Sequence, residues 1–519
     1  MPDKPPAEND VKDVQLLITA EEAYPAMERA FLGAKKEVWA SFRVFDLSTR
    51  LRSKEARAFG TTWFDLIVHV LKRGVALNFV LADFDPILAP ELHCASWRSR
   101  RAFVAAREIA GPDTRLNVIN ATHSARVGLL PRLLLWPWLV RELARQARSL
   151  NAQPSDKRAR TRECSPGLRR WLYELPGGTL KSRKWPPPPL VPGTHHQKMA
   201  VFDRQLLCIG GLDVDERRYD DKDHRRRRDE TWHDVQLMCR GDVAQEAQQH
   251  LESFLPSVAG ASEPPSCRLL KRTLSRRRRM QLPFLGPRPL VRELANAHES
   301  LISEAKHLIY LETQFFRDTN TARSLARAAG ARPDLRLVVV LPGAPEDVAF
   351  LGNTSADARF GEYLQAKCVD MVSHAFGDRA IFCSPVRPLP AHGIGRDTLC
   401  GSPLIYVHAK VSIADDCKAI VSSANLNGRS LFWDTEAGIV LNRKEHVKKL
   451  RQRVFRHWLW SEAGEPHYTT MTAQQTWKEL IHANAEAAPK DRNGFLVPYD
   501  PKPARAFGRP LPGVPNAMV

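Results

Sequence analysis

Two short stretches of the sequence combine a histidine, a lysine and an aspartate at the same spacing. In each, the lysine follows the histidine by two positions and the aspartate follows it by seven. The two sets are His196, Lys198 and Asp203, and His408, Lys410 and Asp415. Small and polar residues follow both sets at matching places, namely Gly210, Gly211 and Asp213, and Ser422, Ser423 and Asn425. A repeat on this scale predicts two structural units of one kind.

The repeated residue types suit chemistry on a phosphodiester. Alternate side chains of a strand share a face, so the histidine and lysine of each set are expected to point the same way. If the two units face each other, two histidines and two lysines converge. Lysines then neutralise phosphate oxygens, one histidine attacks phosphorus, and the other protonates the leaving alcohol. The scheme requires no metal and no metal-ligand spacing is visible, so the sequence predicts no metal and no cofactor.

The HxKxxxxD pattern resembles the signature of the phospholipase D superfamily, and other segments extend the resemblance. "WHDV" at Trp232 and "RRYDD" at Arg217 resemble the first half of two-motif phospholipases D. "YLETQFF" at Tyr310 resembles their "IENQFF" stretch, and "SSANLNGRSLFWDTEAGI" is similar to their "GSANLNxRS…DSE" run. The resemblance spans most of residues 30–460, apart from an insertion at about 124–190.

The resemblance implies an α/β fold of two similar phospholipase D-like domains, packed about a pseudo-twofold axis with one shared active site. By the same resemblance, His196 is the nucleophile and His408 the general acid. Asp234 is expected to orient His196, and Glu436 is expected to orient His408. The sequence alone leaves open which histidine attacks first.

The resemblance also implies a set of phosphate-binding residues. These residues are Lys198, Lys410, Asn425 and Asp213. Gly211 and Asp213 depart from the usual Ser and Asn of the family, although larger phospholipases D often carry this "GGxD" form, and Ser422 replaces a Gly. Asp203 and Asp415 are expected to be structural and to fix loops beside the strands.

Helix-like and strand-like periodicities alternate along the chain, which predicts α/β layers. The predicted parts are a first domain at 14–256 with its insertion, a linker at 257–284, a second domain at 285–465 and a Pro-rich tail at 466–519. The linker is expected to be exposed because it contains "SEPP" and "SRRRR", and the tail is expected to lack regular structure.

Several residues have two interpretations. The insertion, with Trp136 and Trp138, is either a lipid-facing surface or a packed helix with a tether. The runs Arg225–Arg228 and Arg276–Arg279 are either solvated surface or contacts to a polyanion. His195 has no counterpart in the second repeat and either touches substrate or is structural. Glu312 and Gln314 either support the active site or satisfy the core.

Composition limits the class of protein and of partner. The 519 residues allow two or more domains, and the formal net charge of +19 favours an anionic partner, either nucleic acid or an acidic membrane surface. Nine cysteines without CxxC pairs predict reduced thiols. Neither a secretory signal nor a membrane-spanning segment is visible, which predicts a cytoplasmic or peripheral membrane protein, with export as a bacterial effector as an alternative. We expect a monomer.

The leading interpretation is a phospholipase D that hydrolyses glycerophospholipids to phosphatidic acid and a head-group alcohol. Its partners would be a phospholipid membrane surface and water or an alcohol as acceptor. A phosphatidyltransferase such as a cardiolipin synthase is the first alternative, although many such synthases carry amino-terminal membrane spans. A nuclease of the same superfamily is the second, but no nucleic-acid module is evident, so no stable nucleic acid partner is expected. A non-catalytic scaffold is disfavoured because every expected reacting residue is present.

Overall fold

The computed structural model describes residues 11–460 and 463–519, in which helices and strands alternate. The elements before residue 260 are β1 (Val11–Ile18), α1 (Thr19–Gly33), β2 (Glu37–Phe42), α2 (Lys54–Arg57), α3 (Trp63–Lys72), β3 (Ala76–Asp83), α4 (Pro90–Ala110), β4 (Leu116–Thr122), α5 (Leu129–Asn151), α6 (Ser155–Glu163), α7 (Pro166–Arg169), β5 (Leu172–Glu174), β6 (Leu180–Ser182), β7 (Met199–Phe202), β8 (Leu206–Gly210), β9 (Val235–Gly241) and α8 (Asp242–Ala259).

The later elements begin with a hairpin and end beyond the predicted second domain. They are β10 (Leu270–Arg276), β11 (Arg288–Arg292), α9 (Glu293–Glu304), β12 (Leu308–Thr313), α10 (Thr319–Ala331), β13 (Arg336–Val340), α11 (Glu346–Leu351), α12 (Ala356–Phe376), β14 (Ala380–Pro385), β15 (Thr398–Leu399), β16 (Ser402–Pro403), β17 (Lys410–Ala414), β18 (Lys418–Ser422), α13 (Gly428–Phe432), β19 (Glu436–Leu441), α14 (Lys444–Leu459), α15 (Ala473–Glu486), β20 (Leu496–Pro498) and α16 (Lys502–Phe507).

Two large sheets share one strand order. The seven-stranded sheet runs β1-β9-β8-β7-β2-β3-β4, and the nine-stranded sheet runs β11-β10-β19-β18-β17-β12-β13-β14-β20. In both, three neighbouring strands are parallel (β2, β3 and β4; β12, β13 and β14) and the three before them are antiparallel. The prediction of an α/β fold is confirmed. The repeated histidine motifs enter the central strands β7 and β17 of this common order.

The aspartates of the two repeats hold equivalent turns. Asp203 and Asp415 follow β7 and β17 in the left-handed region, with φ of 52° and 49°. The Asp203 carboxylate accepts hydrogen bonds from the amides of residues 35–37 at 2.8–2.9 Å. The Asp415 carboxylate accepts them from the amides of residues 306–308 at 2.7–3.0 Å. Each aspartate therefore ties the turn after its motif strand to the start of the neighbouring strand.

One apolar core is common to both sheets. The seven-stranded sheet contributes residues that include Met199, Val201, Ile209 and Leu237. The nine-stranded sheet contributes residues that include Tyr310, Val411, Val421 and Ile439. Separate cores lie between each sheet and its helices. Burial of one such aliphatic side chain contributes about 1.5–3 kcal/mol. The shared core therefore holds the two sheets together and fixes the strand ends that meet between them.

Two expectations about the ends of the predicted domains are wrong. The predicted linker at 257–284 contains β10, which pairs with β19 and β11 and so belongs to the nine-stranded sheet. Leu274 and Ser275 of this strand are buried, so the arginine-rich run that suggested an exposed connection begins only where the strand ends. The first sheet also begins earlier than residue 14, because β1 starts at Val11.

The predicted tail at 466–519 is not without regular structure. It contains α15 and β20, and β20 pairs with β14 at the edge of the nine-stranded sheet. Ala473, Trp477 and Ile481 repeat every four residues along α15 and are buried in the shared core. The prediction rested on the proline content of the tail, but these prolines lie near the ends of elements, where proline is tolerated.

The insertion packs on a small core of its own. Helix α5 has 23 residues, so the apolar segment at its start continues into an amphipathic helix. Its inner face contributes Leu139 and Leu143, which pack with Leu168 of α7 and with Trp171, the residue before β5. Among the described residues, no helix combines the length and apolar character needed to cross a membrane.

Candidate active site

The segments that lead into β7 and β17 each pair with the opposite half of the chain. The backbone amides of His196 and Gln197 donate to the Thr435 carbonyl at 2.9 Å. The amide of His408 donates to the carbonyl of His233 at 2.8 Å, and the amide of His233 donates to the carbonyl of Tyr406 at 2.8 Å. These contacts form two parallel bridges, His195 with Thr435 and His233 with Val407. The motif histidines therefore lie where the two sheets meet.

Each motif histidine is held by a carboxylate from the other half of the chain. The Nδ1 atom of His196 is 2.8 Å from Oε1 of Glu436, and Nδ1 of His408 is 2.6 Å from Oδ2 of Asp234. The expected assignment, with Asp234 on His196 and Glu436 on His408, is therefore wrong. The two parallel bridges explain this exchange. His196 and Glu436 each follow a partner of the first bridge and so lie side by side, and Asp234 and His408 do the same after the second bridge.

The two carboxylates keep the Nε2 atom of each histidine available for reaction, because they engage Nδ1. Glu436 also accepts a hydrogen bond from the Ser423 hydroxyl at 2.5 Å, and Asp234 accepts one from the following backbone amide at 2.9 Å. Burial raises the pKa of Glu436 to about 8, although the positive charge of Lys198 acts to lower it. Burial raises the pKa of Asp234 to about 6, although the positive charge of Lys410 acts to lower it.

The two lysines make equivalent contacts and form a buried cationic site. Lys198 Nζ donates to the carbonyl of His196 at 2.5 Å, and Lys410 Nζ donates to the carbonyl of His408. Burial lowers the pKa of both ammonium groups, that of Lys410 to about 7. Burial and then the nearest lysine also lower the pKa of each histidine well below its usual value. A bound phosphodiester anion would offset these costs.

The two histidines differ in access to solvent. The His196 side chain is 12% exposed, whereas that of His408 is 3% exposed. The Trp232 ring covers His408, with ring centroids 4.6 Å apart. His196 is therefore the histidine that an incoming substrate reaches more easily.

The two residues of the phosphate-binding set that are not lysines have different surroundings. Asn425 is buried, and its Oδ1 atom has no hydrogen-bond partner among the described residues. Asp213 is buried and accepts a hydrogen bond from the Val44 amide at 2.8 Å. Its charge raises the pKa of Lys198 against the effect of burial. A carboxylate repels phosphate oxygens. We therefore expect Asp213 to balance the charge of Lys198 and not to contact phosphate directly.

Arginines that the sequence interpretation did not include add to the cationic site. Arg218 is buried and stacks over the Trp232 ring at 4.4 Å, with Nε 3.9 Å from the carboxylates of Asp213 and Asp215. Its Nε and Nη1 atoms have no hydrogen-bond partner in the described part of the chain. Burial and then Arg218 lower the pKa of Arg43. The "RRYDD" segment was the available signal, since it contains Arg218.

The remaining candidates have mainly structural contacts. His195 is buried, and its Nδ1 atom is 2.9 Å from the Thr435 hydroxyl; burial lowers its pKa to about 3. Gln314 lies at the site, where its amide donates to the Tyr406 hydroxyl at 2.7 Å and its carbonyl is 3.5 Å from Lys410 Nζ. Glu312 lies in β12 and contacts His233.

Comparison with known sequences gives partial matches to phospholipase D-like proteins. A family profile described as "Cardiolipin synthase, PLD-like domain" matches residues 299–458. Phospholipase D zeta 1 of Arabidopsis thaliana is 29% identical over 187 residues, which are 31% of this chain and 17% of that protein. Phospholipase D2 of Bos taurus is 29% identical over 191 residues, 32% of this chain and 20% of that protein. The alignments thus span a fifth or less of these relatives.

A solved structure matches over most of the chain. The crystal structure of phosphatidylserine synthase from Haemophilus influenzae Rd KW20 covers 91% of this chain and 94% of its own, with a TM-score of 0.48 and 12% identity. The profile match includes the second histidine motif and Glu436. The profile and the phospholipase D relatives together support membership of the chain in the phospholipase D superfamily.

Proposed function

We propose that the protein is a phospholipase D-type enzyme that hydrolyses glycerophospholipids to phosphatidic acid and a head-group alcohol. The observation that carries this proposal is the crossed arrangement, in which each motif histidine is held on Nδ1 by a carboxylate of the other half. Two histidines oriented in this way beside two buried lysines suit attack and leaving-group protonation at one phosphorus atom. The names of the relatives support the same substrate class.

In the first step, Nε2 of His196 attacks phosphorus and forms a P–N bond while the bond from phosphorus to the head-group oxygen breaks. His408 donates its Nε2 proton to that oxygen, and the head-group alcohol leaves. In the second step, His408 takes a proton from water as the water oxygen attacks phosphorus. The P–N bond then breaks, which releases phosphatidic acid and restores His196.

The charged groups around the histidines have matching roles. Lys198 and Lys410 would neutralise the non-bridging phosphate oxygens and the charge that develops on them. His408 must carry a proton when the substrate arrives, although burial and Lys410 lower its pKa. The phosphate anion offsets the lysine charges, and Asp234 stabilises the imidazolium form. The greater exposure of His196 supports its assignment as the nucleophile.

The two halves would form one active site about a pseudo-twofold axis. The common strand order of the two sheets and the equivalent turns at Asp203 and Asp415 support this symmetry. The crossed pairs support a single site, because each motif histidine is held by a carboxylate of the other half and not by one of its own.

An exposed apolar surface on the insertion supports a membrane as the partner. Leu134 and Trp138 of α5 are 83% and 49% exposed, and Trp185, whose ring meets that of Trp136, is 65% exposed. Trp136 differs, because its ring meets Trp185 and its Nε1 atom donates to the Lys184 carbonyl at 2.7 Å. We therefore assign Trp138 to the lipid interface and Trp136 to the packing of the insertion.

A phosphatidyltransferase is the second candidate, because the same phosphohistidine can pass its phosphatidyl group to an alcohol. The description of the matching profile, which refers to cardiolipin synthase, supports this candidate.

The test is mass spectrometry of the products from vesicles of mixed phospholipids, with and without ethanol or glycerol, beside the His408→Ala enzyme. Phosphatidic acid in water, and phosphatidylethanol when ethanol is added, are the expected products. Phosphatidylglycerol from glycerol without phosphatidic acid would make the protein a transferase. Cleavage of DNA with neither lipid product would make it a nuclease and overturn the proposal.

A further inference from the structure

Three histidines that the reaction does not use lie together behind His408. His224 and His233 come from the first half of the chain, and His457 comes from α14 in the second half. One ring nitrogen from each lies within 4.8 Å of the others. His224 and His233 are fully buried, and His457 is partly buried. The cluster therefore joins the two halves at a place that no step of the proposed reaction requires.

The ring nitrogens have the positions of ligands to one ion. Nε2 of His224 and Nε2 of His457 are 3.0 Å apart. Two nitrogens bound to one zinc ion at about 2.0–2.1 Å are separated by a similar distance in a tetrahedral site. The Nδ1 atom of His233 is buried and has no hydrogen-bond partner among the described residues. A buried imidazole nitrogen without a partner is costly, and a metal ion would satisfy it.

Carboxylates hold the opposite nitrogens of two of these rings. Nδ1 of His224 is 2.6 Å from Oδ2 of Asp220, and Nε2 of His233 is 2.5 Å from Oε1 of Glu312. Metal-bound histidines usually donate their other N–H to a carboxylate in this way, which presents a lone pair to the metal. The lone pairs of Nε2 in His224 and of Nδ1 in His233 are thereby available. The two carboxylates also balance the charge of a divalent cation.

We propose that His224, His233 and His457 bind one zinc ion that links the two halves of the protein. Imidazole ligands suit zinc, and the three come from segments that only the folded chain brings together. The site would also position the general acid, since His233 precedes Asp234 and its carbonyl accepts the amide of His408 at 2.8 Å. This metal site does not depend on which reaction the enzyme catalyses.

The experiment measures zinc in the untagged full-length protein by inductively coupled plasma mass spectrometry after growth with zinc. The metal-free protein is then titrated with Co²⁺, whose absorption spectrum reports tetrahedral nitrogen ligation, and its melting temperature is followed with Zn²⁺. The variants are His224→Gln and His457→Gln, which keep a hydrogen-bonding group. The matched control is His374→Gln, at an exposed position on α12.

We expect about one zinc ion per chain in the wild type and the control, and almost none in the two variants. Zinc should raise the melting temperature of the wild type and the control only. The proposal is wrong if the wild type contains no zinc and gives neither a Co²⁺ spectrum nor a thermal shift, because the histidines are then only a hydrogen-bonded cluster. Zinc at the wild-type level in both variants would also overturn it. The Co²⁺ titration of the wild type decides the matter even if a variant fails to fold.

Discussion

The two motif histidines have the same sequence pattern and the same kind of contacts, but their surroundings differ. His196 is the more exposed, and its partner Glu436 has a pKa raised to about 8 by burial. His408 is almost completely buried under Trp232, and its partner Asp234 has a pKa raised to about 6 by burial. The shorter Asp side chain and the covering indole enclose the second histidine more tightly.

Under the proposed mechanism, this difference would give the two repeated motifs different functions. A nucleophile must reach the substrate, which favours the exposed His196. A general acid acts best where water is excluded and a carboxylate stabilises its protonated form, which favours His408. Environment, rather than residue type, then separates the two roles, as in other sites where paired groups have different pKa values.

The largest expected effect is the loss of turnover when either motif histidine is replaced, and it can distinguish the nucleophile from the general acid. His196→Ala and His408→Ala should each lower turnover of natural phospholipid by about 10³-fold or more. A nitrophenolate leaving group needs little protonation, so His408→Ala should regain much of the first-turnover burst of nitrophenolate release, and His196→Ala none of it. Steady turnover of His408→Ala should stay low, because His408 also takes the proton from water in the second step. The burst with this substrate and the initial rates with natural phospholipid measure this, with His374→Ala as the control. The reverse pattern of rescue would exchange the two roles.

The crossed pairing gives the next largest effect. Glu436→Gln and Asp234→Asn should each lower kcat on natural lipid by about 10²-fold or more. With the nitrophenolate substrate in the His408→Ala background, Glu436→Gln should still lower the rate, because Glu436 acts on His196. Asp234→Asn should have little further effect there, because its partner is gone. The first-turnover rates of nitrophenolate release in the two double variants decide, and the opposite result would restore the uncrossed assignment.

Substitution of the two lysines tests whether both halves of the protein bind phosphate in the same way. Lys198→Arg and Lys410→Arg keep the charge but replace a compact ammonium group with a larger planar one in a buried site. Each should lower kcat/KM by about 10- to 100-fold without loss of folding by circular dichroism. Wild-type rates in either variant would mean that this lysine does not position phosphate.

The insertion belongs to the first half alone, and its effect should depend on the lipid surface. Leu134→Ala with Trp138→Ala should lower the rate on anionic vesicles by about tenfold and leave the rate on a soluble short-chain lipid unchanged. Added salt should lower the vesicle rate further by screening the basic surface. Trp136→Ala is the comparison, since it should affect both substrates through packing. Equal loss on both substrates in the double variant would show that its residues are not lipid contacts.

The smallest expected effect concerns stability. The folded pKa of Glu436, about 8, lies above its ordinary value of 4.5, so the folded state favours the protonated form. Wild-type stability should therefore fall, relative to Glu436→Gln, as pH rises from about 4.5 through about 8. Melting temperatures at pH 5, 7 and 9 should show the inactive Gln variant gaining by about 2 °C or more at the highest pH. A constant difference across this range would contradict the raised pKa.

Much of the fold followed from local patterns, and the errors have local causes as well. Alternating periodicities predicted the α/β layers, and the repeated aspartates predicted the turns that they hold. The arginine-rich end of β10 and the prolines near β20 looked like exposed chain, because composition does not reveal pairing with a distant strand edge. The four-residue spacing of Ala473, Trp477 and Ile481 is a local sign of α15 that the sequence analysis did not use.

The sequence by itself determined that the site contains two histidines and two lysines, because residue identity and spacing along one strand are local properties. Only the tertiary structure decided how those groups pair. His196 and Glu436 are 240 residues apart, and His408 and Asp234 are 174 apart, so their contacts depend on how two sheets pack and not on any spacing. The same reason hides the cluster of His224, His233 and His457, whose members show no metal-binding spacing along the chain.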